Sequence, residues 1–273
     1  MVWFPFYQID AFTNRPFGGN PAAVCPMDMF PGDEILQKIA IENNLSETAF
    51  LVPLDGVVAD FQLRWFTPAM EVTLCGHATL ASAYVVFNHL RPELEQVRFE
   101  TLSGVLIVDR NEHNYTMNFP VIPSHLIETP EGLGTALGVE PDYVYKPDAI
   151  YTGADRDLLI IYPNENIIAA LNPDLEALKA FAPYGFICTA KANSADLDFV
   201  SRCFFPNHGI DEDPVTGSAH SLSALYWSRV TGKELLKACQ ISTRKGDLVL
   251  TLKGDRLHIM GNAVQIIEGM MTI

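Results

Sequence analysis

The stretch Thr73-Leu74-Cys75-Gly76-His77-Ala78-Thr79 constrains this chain more than any other. Upstream of it, Phe61-Gln62-Leu63-Arg64-Trp65-Phe66 has strand character. Downstream, Ala78 to Phe87 is small, apolar and free of charge. A helix without a polar face is buried all round. One that starts at Gly76-His77 therefore aims free backbone N–H groups into the interior, where they attract a carboxylate or another anion.

The arrangement occurs twice. Arg64-Trp65-Phe66-Thr67-Pro68 precedes Cys75-Gly76-His77-Ala78, and Arg202-Cys203-Phe204-Phe205-Pro206 precedes Thr216-Gly217-Ser218-Ala219, with three more residues between proline and glycine. A small-residue apolar run follows each glycine. Two copies in opposite halves suggest a duplicated unit, and 273 residues accommodate two domains. If the duplication is real, two helix starts can face one cleft between similar domains.

Composition limits the partners. A formal net charge of −15 argues against non-specific nucleic-acid or anionic-membrane binding, both of which need a basic surface. It leaves an acidic small substrate possible, because helix termini act locally. The cysteines Cys25, Cys75, Cys188, Cys203 and Cys239 are widely spaced, odd in number and without a zinc-like Cys/His spacing. Met1 to Phe12 lacks the basic start of a signal peptide, and no uncharged apolar run reaches the length of a membrane span. A reducing cytoplasm is the natural reading.

In chain order, Phe4 to Ala11 reads as a strand, Gly18-Gly19-Asn20-Pro21 as a turn, and Ala22 to Cys25 as a second strand. The glycines serve turn geometry or let backbone or Asn20 approach a ligand. Asp33 is the expected N-cap of a helix with Ile35, Leu36, Ile39 and Ala40 on its inner face, ended by Asn43-Asn44. Leu45 to Val52 is a strand in which Glu47, Ala49 and Leu51 share a face. A carboxylate among apolar neighbours suits general acid–base work; an exposed glutamate at a strand entrance is the plainer alternative.

Val97 to Thr101 and Val105 to Asp109 flank a Ser103-Gly104 hairpin turn, and Tyr115 to Phe119 adds a strand. Pro120 to Pro130 is the expected crossing between halves. Gly132 to Gly138 imitates a dinucleotide loop, but its spacing is wrong by one and no strand precedes it; it reads as a small helix and turn. Further expectations are strands at Leu158–Tyr162, Gly185–Ala190 and Leu197–Phe205, an amphipathic helix at Pro173–Phe181, and a second apolar helix from Gly217 to Thr231-Gly232. Strands at Ile241–Thr243, Leu248–Leu252, Arg256–Met260 and Ala263–Ile267 close the chain. Many strands with short connections around two buried helices make an α+β protein, mostly antiparallel.

Asp211, Glu212 and Asp213 can complement a helix N-terminus or receive a substrate amine or hydroxyl; they match no calcium or zinc spacing. His77 at a helix start can bond a substrate oxygen or be a satisfied core histidine. Cys75, just before that start, is either a reactive thiol or an inert buried one.

Taken together, Gly19-Asn20-Pro21-Ala22-Ala23-Val24, Asn44-Leu45-Ser46-Glu47-Thr48, Phe66-Thr67-Pro68 with Gly76-His77-Ala78, and Glu212-Asp213-Pro214-Val215-Thr216-Gly217-Ser218-Ala219 resemble the PhzF family of phenazine-biosynthesis-like isomerases, within the diaminopimelate-epimerase-like fold. The motifs stand in the family's order across nearly the whole chain. The resemblance implies two pseudo-symmetric domains, each a curled, mostly antiparallel sheet around a central helix. Residues 1–120 with a returning strand at about 262–273 would form one, and 121–261 the other, with the active site between them. It implies a homodimer and no cofactor; the residue spacings point to no metal, and a small carboxylate-bearing metabolite is the expected substrate. It selects Glu47 as the proton shuttle, and Asn20, Ser46, Gly76, His77, Asp213, Gly217 and Ser218 as substrate-binding residues. Related amino-acid epimerases use two opposed cysteines. Cys75 holds the first of those places and Thr216 the second, so the chain departs from a two-thiol racemase while both residues stay secondary candidates.

Overall fold

Both small-residue runs form helices that are buried from their glycine starts, the second emerging only in its last turn, and each sits among strands whose pairing repeats. The computed structural model describes residues 2–112, 114–148 and 157–273. The chain divides into two units, Met1–Asn118 with Met260–Ile273, and Phe119–Ile259.

In the first unit the strands are β1 (Trp3–Ala11), β2 (Asn20–Pro26), β3 (Glu47–Pro53), β4 (Phe61–Phe66), β5 (Glu71–Val72), β6 (Gln96–Thr101), β7 (Gly104–Asn111) and β8 (Asn114–Pro120). Helix α1 (Asp33–Asn43) joins β2 to β3, and α2 (Gly76–Val85) joins β5 to β6, running on into a π-helical turn at Val86–Leu90. β1 pairs antiparallel with β2 on one side and with the C-terminal strand Ala263–Thr272 on the other. β2–β3 and β4–β6 are parallel; β3–β4, β4–β5, β6–β7 and β7–β8 are antiparallel.

The second unit repeats this order. Its strands are β9 (Ser124–Ile127), β10 (Tyr143–Pro147), β11 (Asp157–Ile161), β12 (Gly185–Lys191), β13 (Phe199–Phe205), β14 (Ile210–Asp213), β15 (Leu235–Gln240), β16 (Gly246–Lys253) and β17 (Arg256–Gly261). Its helices are α3 (Leu133–Leu137), α4 (Glu165–Ala170), α5 (Leu175–Leu178) and α6 (Gly217–Thr231). β11–β12 and β13–β15 are parallel, and β10–β11, β12–β13, β13–β14 and β15–β16 antiparallel. Each of these four parallel pairs encloses a helix in its connection, because a parallel partner needs a long crossover and a hairpin cannot supply one.

The repetition extends to side chains. Arg64 makes a fork to Glu71, with both bonds 2.7 Å, and its guanidinium lies 5.1 Å over the Phe66 ring. Arg202 makes the same fork to Glu212 and lies 5.0 Å over Phe204. Ser82 donates to Ala78 O on α2, and Ser223 to Ala219 O on α6.

Several local expectations need correction. The N-cap of α1 is Gly32; Asp33 is the first helical residue and pairs with Arg64 at 2.9 Å instead. Leu36, Ile39 and Ala40 are buried, but Ile35 is exposed, one position off the inner stripe. Asn44 does end the helix in the left-handed conformation, φ 49°. The expected helix at Pro173–Phe181 is one short α turn, capped by Asp174, followed by a 3-10 turn at Lys179–Phe181. Ile241–Thr243 is no strand. The alternation that pairs with β16 lies just earlier, in β15, and the Ser242 hydroxyl bonds Pro214 O instead. Inside the proline-rich segment, β9 pairs with β10. The Gly132–Gly138 segment is α3 between two left-handed glycines. No helix among the described residues is long and apolar enough to cross a membrane.

Candidate active site

Three elements of the first unit begin at one place. The β2–β3 register sets Ala22 opposite Glu47, so Asn20, at the start of β2, and Glu47, at the start of β3, are near neighbours. The α2 start brings Cys75 and His77 to them. The turn that delivers Asn20 requires glycine. Gly19 has φ 60°, and a Cβ there would lie 2.0 Å from Ala11 O. Asn20, Glu47, Cys75 and His77 are all buried, at 0%, 8%, 6% and 4% exposure.

The His77 ring joins them. Its Nδ1 lies 3.2 Å from Asn20 Nδ2 and 3.5 Å from Cys75 Sγ. Its Nε2 lies 3.1 Å from Glu47 Oε2. That last contact is within ion-pair range but lacks the alignment of a hydrogen bond. In a neutral ring, Nδ1 accepts from the Asn20 amide and the thiol while Nε2–H faces the carboxylate. Burial works against charge on His77, yet the Cys75 sulfur and the Glu47 carboxylate hold its pKa above the ordinary imidazole value. Burial first, then the Glu47 charge, push the Cys75 thiol up to about 11. A thiol of that pKa is protonated near neutrality. Cys75 is the N-cap residue of α2, in extended conformation and without a side-chain cap bond. Gly76 and His77 therefore present helix-start N–H groups beside Glu47. Ser46 is half-buried in the turn before β3.

The second unit carries a parallel arrangement. Thr216 is the N-cap residue of α6, extended like Cys75. Its hydroxyl donates to Asp213 Oδ2 at 2.5 Å. Asp213 ends β14 and is buried; Gly217 is buried and Ser218 half-buried. Buried Gln240, at the end of β15, holds this loop. It accepts from Thr216 N at 2.9 Å and donates to Asp213 O at 2.7 Å. The pairing Thr48–Phe66 in one unit matches Phe186–Phe204 in the other, which makes Gly185 the equivalent of Glu47. A side chain does not fit there: a Cβ on Gly185 would meet Phe205 at 2.4 Å and Asp157 Oδ1 at 2.5 Å.

The repeated sheet-and-helix frame is the α+β architecture that the sequence motifs led us to expect. The family model described as PhzC-PhzF, phenazine biosynthesis-like protein, matches residues 9–269. The chain belongs to the PhzC-PhzF family. Among PhzF-family relatives, an uncharacterized isomerase of Pseudomonas aeruginosa is 48% identical over 96% of both chains. The crystal structure of a PhzF-family protein from Enterococcus faecalis superposes with TM-score 0.91 over the full length of both chains, at 40% identity. A hydroxyproline epimerase from Agrobacterium vitis, 12% identical and covering 98% of this chain and 92% of its own with TM-score 0.62, shows that the PhzF fold is shared with an epimerase. These relationships support an isomerase role in general terms.

Gln240 escaped the sequence reading. It stands 27 residues from Asp213 in sequence, outside every motif, and no spacing links a lone glutamine to a distant helix start. The Asn20–His77 contact, across 57 residues, also carries no local signal.

Proposed function

We propose that the protein is a cofactor-independent isomerase that moves a proton on a small carboxylate-bearing metabolite, with Glu47 as the acid–base group. The observation that carries this reading is the buried Glu47 carboxylate 3.1 Å from His77 Nε2 beside the start of α2. In the first step the Glu47 carboxylate takes a proton from a substrate carbon, and the bonding pair delocalises as an enolate. In the second, the Glu47 carboxylic acid returns the proton to another carbon. Atoms and charge balance without a co-reactant. Helix-start N–H groups at Gly76 and His77 stabilise the developing negative charge, and Asn20, Ser46, Asp213, Gly217 and Ser218 bind and orient the substrate. Positioned acid–base catalysis of this kind contributes about 10²–10⁴-fold in rate.

A Cys75-dependent epimerase is the competing reading. It is disfavoured by a thiol pushed up to about 11 and by threonine at the second thiol position. Incubating a panel of small carboxylic acids with the protein in D₂O, read by mass spectrometry, finds a substrate by deuterium incorporation. Glu47→Gln keeps size and much of the hydrogen bonding but removes the titratable proton. We expect it to fold, to bind ligand, and to exchange at least about a hundredfold more slowly, with Cys75→Ser losing far less. Parent-rate exchange in Glu47→Gln together with a dead Cys75→Ser would reassign the base to the thiol.

A further inference from the structure

The same cluster has the composition of a metal-ligand set. One donor atom from each of Glu47, Cys75 and His77 lies within 4.8 Å of the others. The 3.5 Å separation of Cys75 Sγ and His77 Nδ1 is close to the edge of a tetrahedral zinc site, about 3.5 Å for Zn–S of about 2.3 Å and Zn–N of about 2.0 Å. A thiolate, an imidazole and a carboxylate together suit borderline-soft cations such as Zn²⁺ or Co²⁺, and do not suit Mg²⁺ or Ca²⁺. Three protein ligands leave a fourth position for water, and once the thiol proton leaves for solvent, two anionic ligands neutralise a buried divalent ion. A Cys-x-His pair and a glutamate 28 residues before Cys75 match no zinc spacing, so only the tertiary structure brings the three together.

We propose that Cys75 Sγ, His77 Nδ1 and a Glu47 carboxylate oxygen form a binding site for a thiophilic divalent cation, and that its occupancy switches the protein off. Binding displaces the Asn20 amide from Nδ1 and turns Glu47 from Nε2 towards the ion. No electron is transferred. The inhibitory half rests on Glu47 being the acid–base group; the binding half does not.

Co²⁺ added to the full chain is the probe. We expect a near-ultraviolet sulfur-to-cobalt charge-transfer band and the strong visible bands of tetrahedral cobalt, both saturating at about one equivalent and bleached by Zn²⁺. Cys75→Ser should abolish the charge-transfer band although four other cysteines remain. His77→Gln should do the same, which covers the case that the serine variant fails to fold. Glu47→Gln should weaken Co²⁺ binding at least about tenfold. No band in the parent protein, or an undiminished band in a folded Cys75→Ser or His77→Gln variant, overturns the site. These readouts need no substrate, so they fail independently of the isomerase reading. Where deuterium exchange is measurable, Zn²⁺ should suppress it with the midpoint found for binding. A metal-loaded protein that exchanges at the metal-free rate overturns the switch.

Discussion

His77 and His220 lie near the starts of equivalent buried helices and meet opposite electrostatics. His77 faces the Glu47 carboxylate. His220 faces the Thr216 carbonyl, to which its Nδ1 donates at 2.8 Å, and the Phe199 ring. With no counter-charge to offset it, burial pushes the His220 pKa down to about 4. The sign of the linkage follows. Between about pH 6.5 and 4 the unfolded chain binds a proton that the native protein does not, so native stability falls as pH falls through that window, in all by about 3 kcal/mol. His220→Asn keeps a donor for Thr216 O and cannot titrate. Urea unfolding at pH 7 and pH 4.5 should show the variant losing about 2 kcal/mol less than the parent on acidification. Equal losses would mean that His220 is charged in the native protein. Glu47 and Cys75 show how far residue type alone carries a role. Both are plausible acid–base groups in the sequence, and their surroundings separate them: burial and the Glu47 carboxylate raise the thiol pKa, whereas Glu47 faces the His77 imidazole at 3.1 Å.

The elements divide into those whose signal is local and those whose signal is not. α2 and α6 were legible because an uncharged small-residue run after glycine has no alternative to burial, and the C-cap of α6 at Gly232, with φ 71°, marks its end. Asn44 ended α1 for the same conformational reason. β10 and α4 were missed altogether. β9 and β10 pair with each other, and β10 also with β11, so their short, unremarkable sequences are strands mainly by partnership. The loop between β14 and α6 depends in the same way on Gln240. Replacing Gln240 by leucine would leave the Thr216 N–H and the Asp213 carbonyl without their present partner in a buried place, at a cost of about 3 kcal/mol. We expect a lowered melting temperature and faster amide hydrogen exchange at Thr216. Unchanged exchange at that amide would show that the glutamine does not hold the loop.

The chain is one design used twice with different chemistry at the same positions. Glu47 has Gly185 as its counterpart, and Cys75 has Thr216, so a carboxylate stands at this position in one unit alone. The C-terminal strand ties the end of the chain to its beginning, pairing with β1 from Trp3–Thr272 to Ala11–Ala263. A chain ending at Asn262 would strip one whole edge of β1 and expose it. Hydrogen exchange should then show lost protection in β1 and β2 while β11–β13 of Phe119–Ile259 stay protected. Full protection of β1 in the shortened chain would refute its dependence on that pairing.

What could be read from the order of residues was whatever depends on near neighbours: the buried helices, their glycine starts, the hairpin at Ser103-Gly104, the left-handed stop at Asn44, and the α+β character and family that these motifs carry together. What could not be read was set by register and packing. Asn20 and Glu47 both meet His77 because β2 runs parallel to β3 with Ala22 opposite Glu47 and α2 packs against both strands. Gln240 meets Thr216 because β15 lies beside β13 with Gln240 opposite Ser201. Strand register is chosen by which whole faces become buried, a sum over many distant residues that no short stretch of the chain contains.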